Sequence, residues 1–508
     1  MSGNGRQVVI VGGGIAGLCA AIYALQCGYK VVVLEQCDVA GGLAMSWERD
    51  AYTFETCLHW FVGSKPGGEL NGVWREVFDI DRLKFVNHEE FVRIESEKGD
   101  VLRVWTDADR LEEELLRRAP QDKKAILDLT HTIRTLSRFR LLDPAGGLAG
   151  NWLNILRDLP MFPALKKLGQ MSGREYGKRF SDPLLRGFFS EGDVGRLTAV
   201  AMVISLAWMH AGNAGYCVGG AQAIIRAIES RIRKLGGEER LRARVKRILV
   251  ENHAAVGVEL AGGERVMGDW VISAADGHET LFDLLGGAYL NESTRGRFDN
   301  METFASYVQV SLGLAMDLKD QAPMLMRVLD TPVMLDPATD VRNVGFRFFH
   351  YDPTFAPPGK CAVTSVLPTR NHGYWSDLRA QDPRAYYAEK HRIAVATIDV
   401  LERRIPGARA AVETVDVSTP ATVMRYTGNW KGSMEGWLME PGQGFRPLPN
   451  TLPGLRRFVM VGQWVMPGGG LPSGPMTARP AVKAMCRQDG VPFLAHRAKA
   501  EHAEPVGV

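Results

Sequence analysis

The chain has 508 residues, 45% of them hydrophobic and 23% charged, enough for two or three domains or one large composite fold with a sizeable core. Its formal net charge is only +3, and with neither a zinc finger nor a dense basic helix it offers no electrostatic basis for binding nucleic acid. The seven cysteines are odd in number, scattered and free of C-x-x-C spacing, which argues against a disulfide framework or a zinc site and for a reducing, cytoplasmic compartment.

The first predicted element is a buried strand at Val8 to Val11. Gly12-x-Gly14-x-x-Gly17 then opens a helix rich in Ala, Leu and Ile that ends at Gly28, and a second strand runs from Val31 to Leu34 and finishes at Glu35. Gly12 permits a tight turn, Gly14 a close approach of pyrophosphate to backbone, and Gly17 close packing of helix on strand. The helix N-terminus offers unpaired N–H groups to phosphates, and Glu35 can accept hydrogen bonds from a ribose diol. The uncharged run Gln7 to Tyr29 is therefore a dinucleotide-binding unit, not a signal peptide or a membrane span. A glycine pair, Gly41-Gly42, follows the acidic strand end within seven residues, and Tyr52 to His59 comes next.

Residues 75 to 214 read as mostly helical. Within them Trp152, Leu153, Ile155, Leu156, Leu159, Met161, Phe162 and Leu165 alternate with Arg157, Lys166 and Lys167, an apolar face edged with base that suits a helix lying on a membrane surface. The apolar run Ala199 to Met209 is about half the roughly 20 residues of a span and fits a tunnel wall or a core helix. A second glycine turn at Gly219-Gly220 precedes the helical pattern Ile224, Ile225, Ile228, Ile232 and Leu235. Short strands follow at Val245 to Val250, Ala255 to Leu260 and Trp270 to Ser273, and further strand-like runs at Tyr307 to Leu314, Val344 to Phe349 and Cys361 to Val366.

The motif Arg425 to Trp430, with Lys431 to Trp437 after it, has no assigned role beyond shaping a pocket. Near the end, the strand-like Phe458 to Val461 leads into PGGGLPSGP at 467 to 475 and then a helix from about Ser473. A bare loop before a helix again aims backbone N–H groups at a ligand. From about Arg487 the chain is polar and reads as a frayed tail.

GGGIAG with LEQCDVAGG, the segment Tyr52 to His59, the unit from Gly219, and GQWVMPGGGLPSG together make this sequence resemble the phytoene desaturase superfamily of flavoproteins, in its carotenoid isomerase and retinol saturase branch. The resemblance implies FAD, because the glycine pair matches the extended fingerprint of glutathione-reductase-like FAD proteins. It also implies an α/β fold: a discontinuous Rossmann-type FAD-binding domain (1–74, 215–290 and 416–490) with an inserted α+β substrate domain. The helical part of that insert is 75–214, its sheet part 291–415, and a tail covers 491–508. Cofactor contacts are expected at Gly12, Gly14, Ile15, Ala16, Gly17, Glu35, Gln36, Gly41, Gly42, Leu43, Val245, Gly462, Gly470, Leu471, Pro472 and Gly474. Val245 would meet the adenine through its backbone, and Gly470 and Gly474 would lie against the flavin ring.

The expected chemistry is hydride exchange between flavin N5 and C–C or C=C bonds of a lipophilic polyene or isoprenoid: desaturation, saturation or cis/trans isomerisation. His59, Glu55 and Glu435 are the candidates to move the accompanying proton. No second G-x-G-x-x-G follows a strand, so the electron partner (oxygen, a quinone, a carrier or a visiting nicotinamide) stays open, and no metal is expected. The sequence departs from the family at Leu43, where many relatives carry Arg or Cys, and at Cys57, where Gly is expected. An amine oxidase-like flavoenzyme and a prenyl-lipid carrier of the GDP-dissociation-inhibitor type are the other readings.

Overall fold

The strand β1 (Gln7–Val11) carries four successive buried apolar residues because both of its faces are covered. In the computed structural model, which describes residues 5–138, 158–443 and 449–497, β1 is the centre of a five-stranded parallel sheet. Its order is Glu238–Arg240, β2 (Lys30–Leu34), β1, Trp270–Ser273 and Phe458–Met460. The helix α1 (Ile15–Gln26) crosses from β1 to β2 and packs on one face with the helices Gly220–Lys234 and Ser473–Asp489. An antiparallel meander, Val245–Glu251, Ala254–Leu260 and Arg265–Met267, covers the other face. The result is a three-layer Rossmann-type unit whose strands come from both ends of the chain.

A second sheet has seven strands, in the order Val412–Ser418, Ser306–Leu314, Cys361–Thr369, Thr339–Phe348, Met324–Asp336, Glu90–Ser96 and Val101–Trp105. One face is sealed by the helix Pro383–Arg404 around Trp375, Ile393 and Leu401. Two of its strands lie in the stretch expected to be mostly helical. Half of Glu90–Ser96 is polar or charged by composition, yet Glu95 is buried, 6% exposed, against Arg327 (2.8 Å) and Arg404 (2.5 and 3.0 Å). Those partners are more than 200 residues away, which hides the strand from local reading.

The remaining helices form a cap, with Phe180, Leu185, Phe189 and Val203 in its core. Among the described residues no helix is long and apolar enough to cross a membrane. Of the basic-edged apolar stripe, Trp152, Leu153, Ile155, Leu156 and Arg157 lie outside the described residues, while Leu159 and Phe162 are exposed. The expected frayed tail is corrected in part. Helix continues to Asp489, and residues 491 to 497 lie against α1, where Leu494 N–H donates to Cys27 Sγ (3.3 Å) and Phe493 packs on Tyr23.

At Gly17 a Cβ would stand 2.0 Å from the Gly12 carbonyl oxygen, a backbone atom that cannot retreat without moving β1. Gly17→Ala is expected to destabilise the protein by about 3 kcal/mol, the upper end for overpacked positions, read as a lowered urea midpoint in the cofactor-free protein.

Candidate functional site

The two sheets and the helical cap enclose one continuous cavity of about 1700 Å³. That is well above the roughly 300–1,000 Å³ of an ordinary small-molecule site, so it has room for two occupants. One arm runs over the ends of β1 and β2, and the other lies between the seven-stranded sheet and the helices Pro183–Ser190 and Ala199–His210.

The first arm is floored with bare backbone. Gly12 takes φ +97°, which glycine adopts without strain, and Gly14 caps α1 with no side-chain hydrogen bond and no acid in the first turn. The first N–H groups of α1 therefore face the cavity unneutralised, where an anion fits. A Cβ at Gly14 would meet nothing nearer than the Gly41 oxygen at 3.8 Å, so its glycine clears space for a ligand and not for protein. Gly41 and Gly42 stand opposite at φ +132° and +60°, tied back by Gly41 N–H to Gly13 O at 2.9 Å. Glu35 is fixed by accepting from Gly13 N–H (2.7 Å) and Cys37 N–H (2.9 Å). Ile15, Ala16, Gln36, Leu43 and Val245 also line this arm, whereas Gly17 does not: it is consumed in packing against Gly12.

The Pro/Gly loop near the C-terminus lies where the two arms meet. Gly468, Gly469 and Gly470 take φ +89°, +55° and +72° in succession, a path closed to side chains, and Ser473 Oγ–H closes the turn on Gly470 O at 2.7 Å. Gly462, Gly470, Leu471 and Pro472 face the cavity. Gly474 does not, against expectation: a Cβ there would press Ile15 Cγ1 at 3.1 Å, so this glycine serves the contact between α1 and the C-terminal helix.

The three proton-transfer candidates separate. Glu55 is 1% exposed and faces away from the cavity, accepting from Ala221 N–H (2.8 Å) at the start of the helix Gly220–Lys234. Burial lifts its carboxyl to about 7, but its position is that of a helix cap. His59 does face the cavity, its ring edge-on to Trp60. It has accessible surface and lines the cavity, with its ring packed among protein groups. Burial, then the nearby Arg347 guanidinium, holds it well below the usual imidazole range, so the ring is neutral. Glu435 also faces the cavity and stands against the glycine loop, where a Cβ on Gly469 would come within 2.9 Å of its Oε2. Burial, then the Asp193 carboxylate, raises it to about 8, so it holds its proton at neutral pH.

The second arm is apolar. Met324, Met326 and Val328 form its floor with Ile94, Val366 and Pro368, and Phe188, Val200, Ile204 and Trp208 its roof. Gly345 leaves room for the Met324 and Met326 methyls. One wall residue escaped the sequence reading, while the motif expected to shape a pocket does line it. Arg347 lines the wall beside His59. Thr427 and Asn429, from the unassigned motif, close the first arm near Gln36 and Glu279. Asn429 Oδ1 accepts from Gln463 Nε2 (3.2 Å) and Trp464 Nε1 (3.3 Å), which straps that motif to the glycine loop.

The family described as flavin-containing amine oxidoreductase matches residues 15–381. A chloroplastic prolycopene isomerase of Arabidopsis thaliana is 25% identical over 92% of this chain and 80% of its own. A neurosporene-forming phytoene desaturase of Rhodobacter capsulatus is 27% identical over 93% of this chain and 92% of its own. Among solved structures, cyclohexylamine oxidase from Brevibacterium oxydans superposes with a TM-score of 0.59 at 14% identity, over 96% of this chain and all of its own. Putrescine oxidase bound to putrescine gives 0.60 at 16%, over 95% and 99%. At such identities these two speak for the fold alone.

Because an acid with a raised folded-state pKa binds more protons folded than unfolded, Glu435 makes the protein less stable as pH rises from about 4.5 to about 8. Glu435→Gln is expected to flatten that fall relative to the wild type, measured as urea midpoints at pH 5 and pH 8. A difference that stays the same in both proteins contradicts a protonated Glu435.

Proposed function

The chain belongs to the flavin-containing amine oxidoreductase family, and from that premise we propose that it is an FAD-dependent oxidoreductase acting on C–C or C=C bonds of an elongated lipophilic substrate of the polyene or isoprenoid class. The observation that carries this reading is the continuity of the two arms: a glycine-floored cradle opens directly into an apolar gallery large enough for a second molecule. The names of the curated relatives, prolycopene isomerase and phytoene desaturase, support the substrate class.

In this reading Gly12, Gly14, Ile15, Ala16, Gly41, Gly42 and Leu43 hold the pyrophosphate region, Glu35 the ribose, and Val245 the adenine. Gly462, Gly470, Leu471 and Pro472 border the ring, with the N-terminus of the helix Ser473–Asp489 behind them. When bound, FAD supplies two-electron exchange with a substrate carbon. The protein supplies the rest. Methionine, valine and aromatic walls exclude water and orient the chain. Glu435, protonated and touching the glycine loop, is the better placed group to give or take the accompanying proton. The neutral His59 positions the substrate beside it.

The amine oxidase reading fares worse on electrostatic grounds. Arg347 lies on the gallery wall, and a protonated amine entering a low-dielectric space beside a guanidinium is repelled.

Extraction of the purified protein with organic solvent, followed by mass spectrometry, is expected to release FAD together with an apolar lipid; release of neither from protein purified with added FAD overturns the proposal. Gly14→Ala, which meets no protein atom within 3.8 Å, is expected to keep the urea midpoint of the cofactor-free protein while cutting FAD retention at least tenfold. Glu435→Gln is expected to lower kcat by about 10²–10⁴-fold, the range of a general acid or base, with FAD content unchanged.

A further inference from the structure

Arg347, on the strand Thr339–Phe348, is a half-buried cation that forms no ion pair among the described residues. Its Nη1–H donates to Leu58 O at 2.6 Å, and its guanidinium lies 5.6 Å from the Phe349 ring. Among the described residues no carboxylate pairs with it. Each acid nearby is engaged elsewhere. Glu90 is held by the fork of Arg93 at 2.9 and 2.7 Å. Asp352 accepts from Gly219 N–H (2.7 Å), Tyr216 O–H (3.0 Å) and Thr354. Glu55 caps a helix.

The surroundings register the uncompensated charge. His59 and His88 are both kept neutral, by burial first and by Arg347 second, with His88 lowered to about 4. Both line the same cavity, as do Tyr351 and Trp60, so on its cavity side Arg347 meets neutral hydrogen-bonding rings, with the buried Glu55 sensing its charge from behind the wall. A charge withdrawn from water without a partner costs several kcal/mol. The remaining Nη2 and Nε donors form the planar fork that matches a carboxylate with two parallel hydrogen bonds.

We infer that Arg347 is a recognition site for the carboxylate of a long-chain lipophilic acid, whose hydrocarbon part lies along the Met324–Met326–Val328 floor. This rests on the proposed function for the position of the chain in the gallery, but the carboxylate site stands on Arg347 itself. It makes the substrate an oxygen-terminated, amphiphilic chain instead of a pure hydrocarbon, anchored at one end so that a defined bond is presented to the glycine loop.

Equilibrium dialysis of the FAD-loaded protein tests this with two pairs that differ only in charge: all-trans-retinoate against its methyl ester, and dodecanoate against its methyl ester. The wild type is expected to bind at least one acid tenfold or more tightly than its ester. In Arg347→Met, with melting temperature and FAD content as in the wild type, that preference is expected to vanish while ester binding is unchanged, and Arg347→Lys is expected to recover part of it. Preference for dodecanoate with no binding of either retinoid would uphold the carboxylate site and sink the polyene reading. Equal binding of acid and ester in both pairs, absence of binding in both, or a preference that survives Arg347→Met or, should that variant fail to fold, Arg347→Gln would overturn the inference.

Discussion

The fold is arranged around a place where four stretches of backbone meet through glycines. Gly17 lies on Gly12, Gly14 faces Gly41 and Gly42, Gly462 lies against Ala16, and Gly474 against Ile15. The first stretch is near residue 12 and the last near residue 474, so the two ends of the chain are joined at one point. A side chain at Gly17, where the virtual Cβ falls 2.0 Å from a carbonyl oxygen, would separate helix from sheet. The same closeness exposes the N–H groups at the start of α1 to the cavity. The contact that closes the fold and the surface that receives an anion are thus the same backbone.

Burial makes several ionisable groups on the gallery wall behave unusually. Taking a charge from water into an apolar enclosure favours the neutral form, so the Glu435 carboxyl rises to about 8 and the His59 ring loses its proton. Guanidinium alone resists this neutralisation, because its intrinsic affinity for the proton is too high. Arg347 is accordingly a fixed charge on the gallery wall, while Glu435 is an adjustable one. An acid that can exchange its proton beside the glycine loop and a cation that cannot are suited to different tasks, chemistry for the first and anchoring for the second.

Glycine spacing made the cradle legible from sequence, because a turn, a close approach and a helix start each impose a local requirement that only glycine meets. Charged strands were not legible. Glu90–Ser96 reads as polar until Arg327 and Arg404 arrive from the far side of the chain. Glu55 and His59, four residues apart in one segment, were both candidates to move a proton, His59 the first. The strand Tyr52–Glu55 turns the first into the packing against the helix Gly220–Lys234 and leaves the second on the cavity wall. Gly474 belongs to the right loop, yet the helix starting at Ser473 rotates it onto Ile15. Arg347 carried no signal at all, since what distinguishes it is the absence of a partner, and that exists only after folding.

The buried triad of Glu95, Arg327 and Arg404 connects these observations. It pins Glu90–Ser96 alongside Met324–Asp336 in the only parallel pairing of the described seven-stranded sheet. In that register Met326 stands beside Ile94, and both side chains reach the gallery floor. Two arginines share one carboxylate there, which favours the ionised form and opposes the cost of burial. Arg93 and Glu95 of this strand do not line the cavity, whereas Val92 and Ile94 do, together with Glu90. With Glu95 paired to Arg327 and Arg404, the side chains of Val92, Ile94, Met324, Met326 and Val328 offer a long hydrocarbon an apolar floor, and the half-buried Arg347 stands where that floor approaches His59.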